Sequence, residues 1–202
     1  MTAHSGLRTL FVVCVAAVAI TAVAAEKAPT APGKYKEWGP DIDEVEIIKP
    51  FKLTSYTNVV VQPLDVSSTP RLDDKDMAEV VEKVLPHATD SFLEGMKKKL
   101  PDAALATEKT AGAGVLIVRG KITVLDPGSR SKRMWIGYGA GAARTAIEGE
   151  IVDAKTGEVL LRFTQERRSG IERFGRGSSY EEILKRNLNA IGEDVTNLLK
   201  TF

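Results

Sequence analysis

Few side chains in this sequence are suited to catalysis. Removal of the N-terminal segment described below would leave His87 as the sole histidine and would leave no cysteine. A zinc site needs several His or Cys ligands, and nucleophilic catalysis needs a nucleophile beside a base. No serine lies in a Gly-x-Ser-x-Gly turn either. We therefore expect His87 to be structural or solvated, and we expect no catalytic residues, no metal ligands and no cofactor.

Carboxylates offer two further possibilities. Asp73, Asp74 and Asp76 are close enough in sequence to suggest metal ligands, but the spacing of a calcium loop is missing and the start of a helix accounts for them. Glu148 and Glu150 alternate onto one face of a predicted strand. They raise the hypothesis of a hydrolase, although cross-strand ion pairs, for example with Arg162, are the simpler interpretation.

A glycine-rich stretch, residues 137–144, resembles a nucleotide-binding loop only superficially. A dinucleotide fingerprint follows a strand, opens a helix and has an acidic residue about 20 positions later. Here the glycines lead directly into an alternating strand pattern. We interpret them as positions where the backbone turns tightly or approaches a neighbour closely.

Residues 128–177 contain many basic residues, with the aromatic residues Trp135, Tyr138 and Phe174 among them. Arginine mixed with aromatic side chains is typical of binding hot spots. The two parts of this region flank a predicted strand pair, so they could meet at one end of the sheet. The alternative is that Trp135 and Ile136 belong to the core and the arginines are ordinary solvated charges. Candidate partner-binding residues are Arg130, Arg133, Trp135, Tyr138, Arg167, Arg168, Arg173 and Phe174.

The first 25 residues are typical of a secretory signal peptide. Arg8 precedes an apolar stretch at residues 10–23, and small residues follow that fit cleavage after Ala24 or Ala25. This predicts a periplasmic protein that touches the membrane only through the signal or by weak peripheral binding. The alternative is an uncleaved N-terminal anchor. Val13 before Cys14 and the early position of this cysteine argue against lipidation.

The charge balance speaks against nucleic acid as a partner. The chain has 28 basic and 27 acidic residues, and loss of residues 1–25 would bring the two counts to equality. A neutral, exported protein lacks the basic excess that binds phosphate backbones. The 177 residues after the signal are enough for one domain with a sizeable core.

The remaining pattern predicts an α+β, two-layer fold. Residues 26–54 are expected to form an extended leader with a possible edge strand at 44–49. Strands are expected near 57–62, 114–126, 145–151 and 159–164, the last two joined by an Asx-type turn at 153–157. Helices are expected from Asp73 to Leu100, interrupted at Pro86, and from a capping box at Ser179. The expected order is β-α-β-β-β-α, with a mixed, mostly antiparallel sheet of about four strands and two helices on one face.

Two stretches, residues 120–144 and 150–160, resemble the bacterial envelope family called domain of unknown function 4410. The shared features are a strand, a Pro-Gly-Ser loop with basic residues, a Gly-x-Gly-x-Gly loop, and a strand ending in Asp-x-x-Thr-Gly. The resemblance covers about residues 55–200, and we place the domain at 55–202. Many members look like lipoproteins, whereas this chain lacks a usable lipobox. The resemblance implies no catalytic residues.

The sequence thus favours an exported, non-catalytic accessory protein that binds an envelope protein partner. Two alternatives stay open at this point. One is a binder of anionic envelope polymer or lipid headgroups, which would use the same arginines. The other is a hydrolase with a carboxylate site at Glu148 or Glu150.

Overall fold

A computed structural model describes residues 28–39, 41–107, 112–128, 141–169 and 179–202. The expected signal peptide lies outside these ranges. Among the helices in the described ranges, none combines the length and the apolar character needed to span a bilayer.

The described chain forms seven strands and three α-helical segments. The strands are β1 (Gly33–Trp38), β2 (Ile42–Ile47), β3 (Asn58–Val61), β4 (Ala104–Leu105), β5 (Val115–Asp126), β6 (Ala143–Asp153) and β7 (Val159–Ser169). The helices are α1 (Lys75–Val84), α2 (Ala88–Lys97) and α3 (Tyr180–Lys200), with short 3-10 turns at Leu53–Ser55 and Leu85–His87.

All seven strands belong to one mixed sheet in the order β1-β2-β7-β6-β5-β3-β4. β3 pairs in parallel with β4 and β5, and the other neighbours are antiparallel. The α+β class and the mixed sheet are confirmed. The expected number of about four strands is wrong, because β1, β2 and β4 extend the sheet at its two sides.

The segment expected to be an extended leader contains the β1–β2 pair. The predicted edge strand corresponds to β2, which lies inside the sheet because it also pairs with β7, with Val45 opposite Phe163. Trp38, Ile42, Val45 and Ile47 are buried in the core. Flanking prolines and exposed charges concealed this pattern in the sequence, because each strand contains two adjacent exposed charged residues that interrupt the alternation.

The first helix is divided at Pro86, as the sequence predicts. Asp74 caps α1 by accepting hydrogen bonds from the backbone N–H groups of Asp76 and Met77. A 3-10 turn at Leu85–His87 then carries the chain into α2. Because proline cannot donate the helical hydrogen bond at its own position, the apolar stripe continues through a change of helix type rather than through one regular helix.

The C-terminal helix α3 begins with the predicted capping box. Ser179 accepts from the Glu182 backbone N–H, and the Glu182 carboxylate accepts from the Ser179 backbone N–H. α3 packs closely on α2 through two glycines. A Cβ on Gly95 would lie 1.8 Å from the Asn189 carbonyl oxygen, and one on Gly192 would lie 2.1 Å from the Phe92 carbonyl oxygen.

The hairpin between β6 and β7 has the predicted turn. The Asp153 carboxylate accepts from the backbone N–H groups of Lys155 and Thr156, and Gly157 has φ +73°. In both strands the side chains alternate between a face covered by the helices and an open face, which we call the outer face. In β7, Leu161 and Phe163 lie on the helix side and Arg162 on the outer face.

Candidate functional site

Most of the candidate partner-binding residues lie outside the described ranges. Arg130, Arg133, Trp135 and Tyr138 fall in residues 129–140, while Arg173 and Phe174 fall in residues 170–178. Their role stays a prediction. Only Arg167 and Arg168 can be placed.

Three of the four chain ends that flank these two segments meet at one end of the sheet, which we call the loop end. Arg144 is opposite both Asp126 and Arg168, and Ala143 is opposite Ser169. Gly128 has φ +78° and lies against the backbone of Gly141 and Ala142. A Cβ at this position would lie 2.2 Å from the Gly141 carbonyl oxygen. The chain therefore leaves and re-enters the sheet at neighbouring points. Gly137 and Gly139 lie outside the described ranges, so the close approach expected of the glycine-rich stretch stays a prediction.

Arg167 and Arg168 point to opposite faces of β7. Arg167 turns towards α3, where Nε donates to Asp194 Oδ2 at 2.6 Å and the guanidinium also pairs with Asp194 Oδ1. Gln165 Nε2 donates to the same carboxylate at 2.9 Å. Arg167 thus holds β7 against the helix, a role that its position in a basic stretch did not reveal.

Asp194 is the most deeply placed of these charged groups, with 4% of its side chain exposed. Burial raises the pKa of its carboxyl, and the Arg167 guanidinium lowers that pKa by less. A buried carboxylate in this setting is costly unless its hydrogen bonds are satisfied. The Arg167 and Gln165 contacts supply those bonds.

Arg168 lies on the outer face and belongs to a three-membered cluster. Arg144 donates to both oxygens of Glu166 at 2.9 Å, and Arg168 Nε donates to Glu166 Oε1. The hydrogen bonds from Arg144, with a smaller contribution from Arg168, lower the pKa of Glu166 to about 2. The Arg168 side chain is 67% exposed, so this cluster presents a guanidinium at the loop end.

Further from the loop end, two rows of side chains cross the strands on the outer face. The first is a continuous chain of ion pairs in which neighbouring groups are 2.6 to 3.2 Å apart: Lys34, Glu46, Arg162, Glu150 and Arg119. In the second row Lys36 pairs with Glu44 at 3.4 Å and Glu148 pairs with Lys121 at 2.9 Å. Thr164 lies between the two carboxylates by strand register.

These rows form the floor of an open groove with a volume of about 670 Å³. Glu44, Glu46 and Lys34 line one side, and Gln62, Pro63 and Asp65, which follow β3, line the other. The Thr164 side chain is shorter than those of Glu44 and Glu148 on either side, so the groove is deeper at this position. The cross-strand pair of Glu150 with Arg162 was expected from the sequence, but the groove was not, because it depends on β1 and β2.

Two carboxylates of the groove, Glu46 and Glu150, are stabilised as anions by their cationic neighbours. Hydrogen bonds from Arg162, and then from Arg119, lower the pKa of Glu150, and bonds from Lys34 and Arg162 lower the pKa of Glu46. A general acid at neutral pH needs the opposite shift. The groove is thus suited to hold a ligand by hydrogen bonds and to orient it.

His87 is exposed at a shallow groove between α2 and α3, together with Asp90, Lys98 and Asn189. Lys98 Nζ donates to Asn189 Oδ1 at 2.5 Å and pairs with Glu193 at 2.6 Å. Across the described ranges, no three or more His, Cys, Asp or Glu side chains are grouped so that they could hold a metal ion.

A family model decides the relationship of this chain to known proteins. The model of DUF4410, described as a domain of unknown function, matches residues 57–171. The chain belongs to the DUF4410 family. The resemblance noted in the sequence is thereby confirmed, and it includes strands β3 to β7 with the first helical pair. No curated protein matches the DUF4410 chain.

Solved structures with a similar arrangement are distant in sequence. The PelC dodecamer from Paraburkholderia phytofirmans is 13% identical, with 75% of this chain and 96% of that chain covered and a TM-score of 0.42. A DUF330 protein from Xanthomonas campestris is 8% identical, with 70% and 82% covered and a TM-score of 0.44. A lipoprotein from Neisseria meningitidis is 13% identical, with 69% and 96% covered and a TM-score of 0.25. None of these similarities assigns a function to the DUF4410 chain.

Proposed function

We propose that this DUF4410 protein is an exported, non-catalytic accessory protein that binds a protein of the cell envelope with its loop end. The observation that carries the proposal is the convergence of Gly128, Gly141 and Ser169, three of the four described residues that flank the two Arg- and aromatic-containing segments. Two stretches that are far apart in sequence therefore start from one small area.

The composition of the two segments suits a protein interface. Residues 129–140 contain three basic residues, Trp135 and Tyr138, without an acidic residue, and residues 170–178 contain two arginines, one glutamate and Phe174. Arginine and aromatic side chains supply large contacts at small cost in conformational entropy. Three of the flanking residues lie at the ends of β5, β6 and β7 or within two residues of them, so the two segments leave the sheet from one place.

A protein partner is favoured over an anionic polymer or a lipid surface. On the outer face of the loop end, Glu166 offsets part of the charge of Arg144 and Arg168. A surface selected only for anion capture would gain from leaving those guanidinium groups unopposed. Mixed charge beside aromatic residues is the pattern of specific protein recognition.

The lack of catalysis and the export are parts of the same proposal. Support for a non-catalytic role comes from Glu46 and Glu150, whose pKa values are lowered by their cationic neighbours, and from Glu148, which Lys121 pairs. Support for export comes from Arg8 and the apolar residues 10–23, followed by small residues at a suitable spacing.

Site-specific photo-crosslinking in cells tests the proposal. A photoreactive amino acid replaces Tyr138 in one strain and Lys36, on the outer face of β1, in a control strain. We expect a discrete adduct with an envelope protein at position 138 alone. Combining the probe with Arg133→Ala and Trp135→Ala should abolish the adduct, while circular dichroism of the variant stays unchanged.

Two results would overturn the proposal. The first is the same adduct pattern at positions 138 and 36, or an adduct that survives the alanine substitutions. The second is binding to anionic vesicles that disappears when salt is raised, since exposed charges are screened within about 8 Å at physiological ionic strength. That second result would support the alternative function, the binding of an anionic polymer or lipid headgroups.

A further inference from the structure

The groove on the outer face contains two uncharged polar side chains that other groups in the described ranges leave without a hydrogen bond. They are the Thr164 hydroxyl on β7 and the Gln62 amide just after β3. Both are half-buried. Each has a donor and an acceptor, so each can bond to a ligand group that offers either.

The charged groups around them largely neutralise one another. Arg162 bonds to Glu46 and Glu150, Arg119 bonds to Glu150, and Lys121 pairs with Glu148. Cations and anions alternate along the row at hydrogen-bonding distance. A ligand with charge of one sign would meet attraction and repulsion in turn, so the groove has no strong preference for an anion or a cation.

A hydroxyl group suits such a lining because it donates and accepts through one oxygen atom. Arg and Lys in the rows donate, the Glu carboxylates accept, and each carboxylate oxygen has more than one acceptor position. Closely spaced hydroxyls can therefore bond at every step along the alternating row without leaving a charge unpaired.

The separation of Thr164 and Gln62 sets the length of the ligand. β6 and β5 lie between the strand of Thr164 and the strand that leads to Gln62. Three inter-strand spacings of about 4.8 Å, together with an offset of about two residues along the strands, place the two side chains roughly 16 Å apart. A single sugar ring cannot reach both, whereas a short chain of linked rings can.

We propose that this groove binds a neutral, hydroxyl-rich chain, an uncharged polysaccharide, laid across β7, β6 and β5 between Thr164 and Gln62. The binding face is distinct from the loop end, so this site and the proposed protein partner can be occupied together. The ligand contacts Thr164 on β7 at one end and Gln62 after β3 at the other, and the ion-pair rows lie between these two contacts.

Binding is tested by NMR titration of the purified protein with four neutral hexasaccharides: maltohexaose, cellohexaose, hexa-N-acetylchitohexaose and mannohexaose. Glucose, a polygalacturonate fragment and hexalysine serve as comparison ligands. We expect at least one neutral hexasaccharide to shift the backbone amide signals of Thr164, Gly120 and Gly149 with little dependence on salt. Glucose and the charged ligands should bind more weakly.

Matched substitutions decide whether the contacts are the proposed ones. Thr164→Val keeps the shape of the side chain and removes the hydroxyl, and Gln62→Met removes the amide. Each substitution should lower the affinity for the best-binding hexasaccharide by about tenfold, because one hydrogen bond is lost and a ligand group is left unpaired. Thr123→Val, on β5 outside the groove, is the control and should leave affinity unchanged.

Three outcomes contradict the proposal. They are the absence of shifts in the groove with all four neutral hexasaccharides, tighter binding of either charged ligand, and unchanged affinity in both Thr164→Val and Gln62→Met. None of these results affects the crosslinking test at the loop end, so the two proposals can fail separately.

Discussion

The two faces of the central sheet are built from alternate residues of the same strands, yet different interactions hold them. On the helix side, Leu161, Phe163 and Ile147 enter a continuous apolar core, and α2 and α3 approach within backbone contact. On the outer face, rows of ion pairs lie open to solvent. Close packing provides stability on the first face, whereas exposed ion pairs contribute little net free energy and leave the second face available for binding.

This contrast predicts a large loss of stability when an atom is added at the contact between α2 and α3. Gly95→Ala places a methyl group where the Asn189 carbonyl oxygen already lies, so the helices must separate. We expect a loss of about 3 kcal/mol in the free energy of unfolding, the upper part of the usual range for overpacking. Urea denaturation measures it. Glu94→Ala, exposed on the same helix, is the control, and equal stability of the two variants would contradict the packing argument.

The second prediction concerns the ion pair between Arg167 on β7 and the buried Asp194 on α3. Arg167→Met leaves the Asp194 carboxyl buried without its cation, which should cost about 2 kcal/mol at pH 7, less than a fully buried pair because Arg167 is partly exposed. Burial already raises the pKa of Asp194, and the substitution raises it further. The folded variant therefore holds a proton more tightly than the unfolded chain does, and its stability falls as pH rises.

Denaturation at several pH values checks this sign. The stability difference between the wild type and Arg167→Met should grow from pH 4 to pH 7. Adding Asp194→Asn to Arg167→Met should remove most of the pH dependence, because the buried group then no longer titrates. A difference that stays constant with pH in the single variant would show that Asp194 is not the group responsible.

The elements that the sequence predicts well are those whose signals are local. The capping box at Ser179, the Asx turn at Asp153 and the interruption at Pro86 each depend on residues within one turn of each other, and all three are confirmed. β4 has only two residues, and β1 has alternation that prolines and charges obscure. Their pairing depends on distant strands, so the strand number could not be obtained from local pattern.

The groove was missed for the same reason. The Glu150–Arg162 contact joins neighbouring strands of a predicted hairpin and was foreseen, but Glu46 joins the row only because β2 pairs with β7. Thr164 lies on β7 and Gln62 follows β3, and these two strands are not neighbours. Arg167 and Arg168 show a further limit: adjacent arginines of similar composition face opposite sides, and only the register of β7 assigns one to structure and one to the surface.

The smallest effect is expected for Glu166, a carboxylate of the outer face that accepts hydrogen bonds from two arginines. Glu166→Gln removes the anion that two arginines hold at a pKa of about 2, yet Arg144 and Arg168 are largely solvated, so the loss should be about 1 kcal/mol at pH 7. Because the folded pKa lies below the unfolded value, this stabilisation is complete above about pH 5 and disappears as the pH falls towards 2. Acid titration followed by circular dichroism should show the curves of the two proteins converging. A loss as large as that of Gly95→Ala would mean that the outer face contributes to stability as the core does, and the difference between the faces would no longer hold.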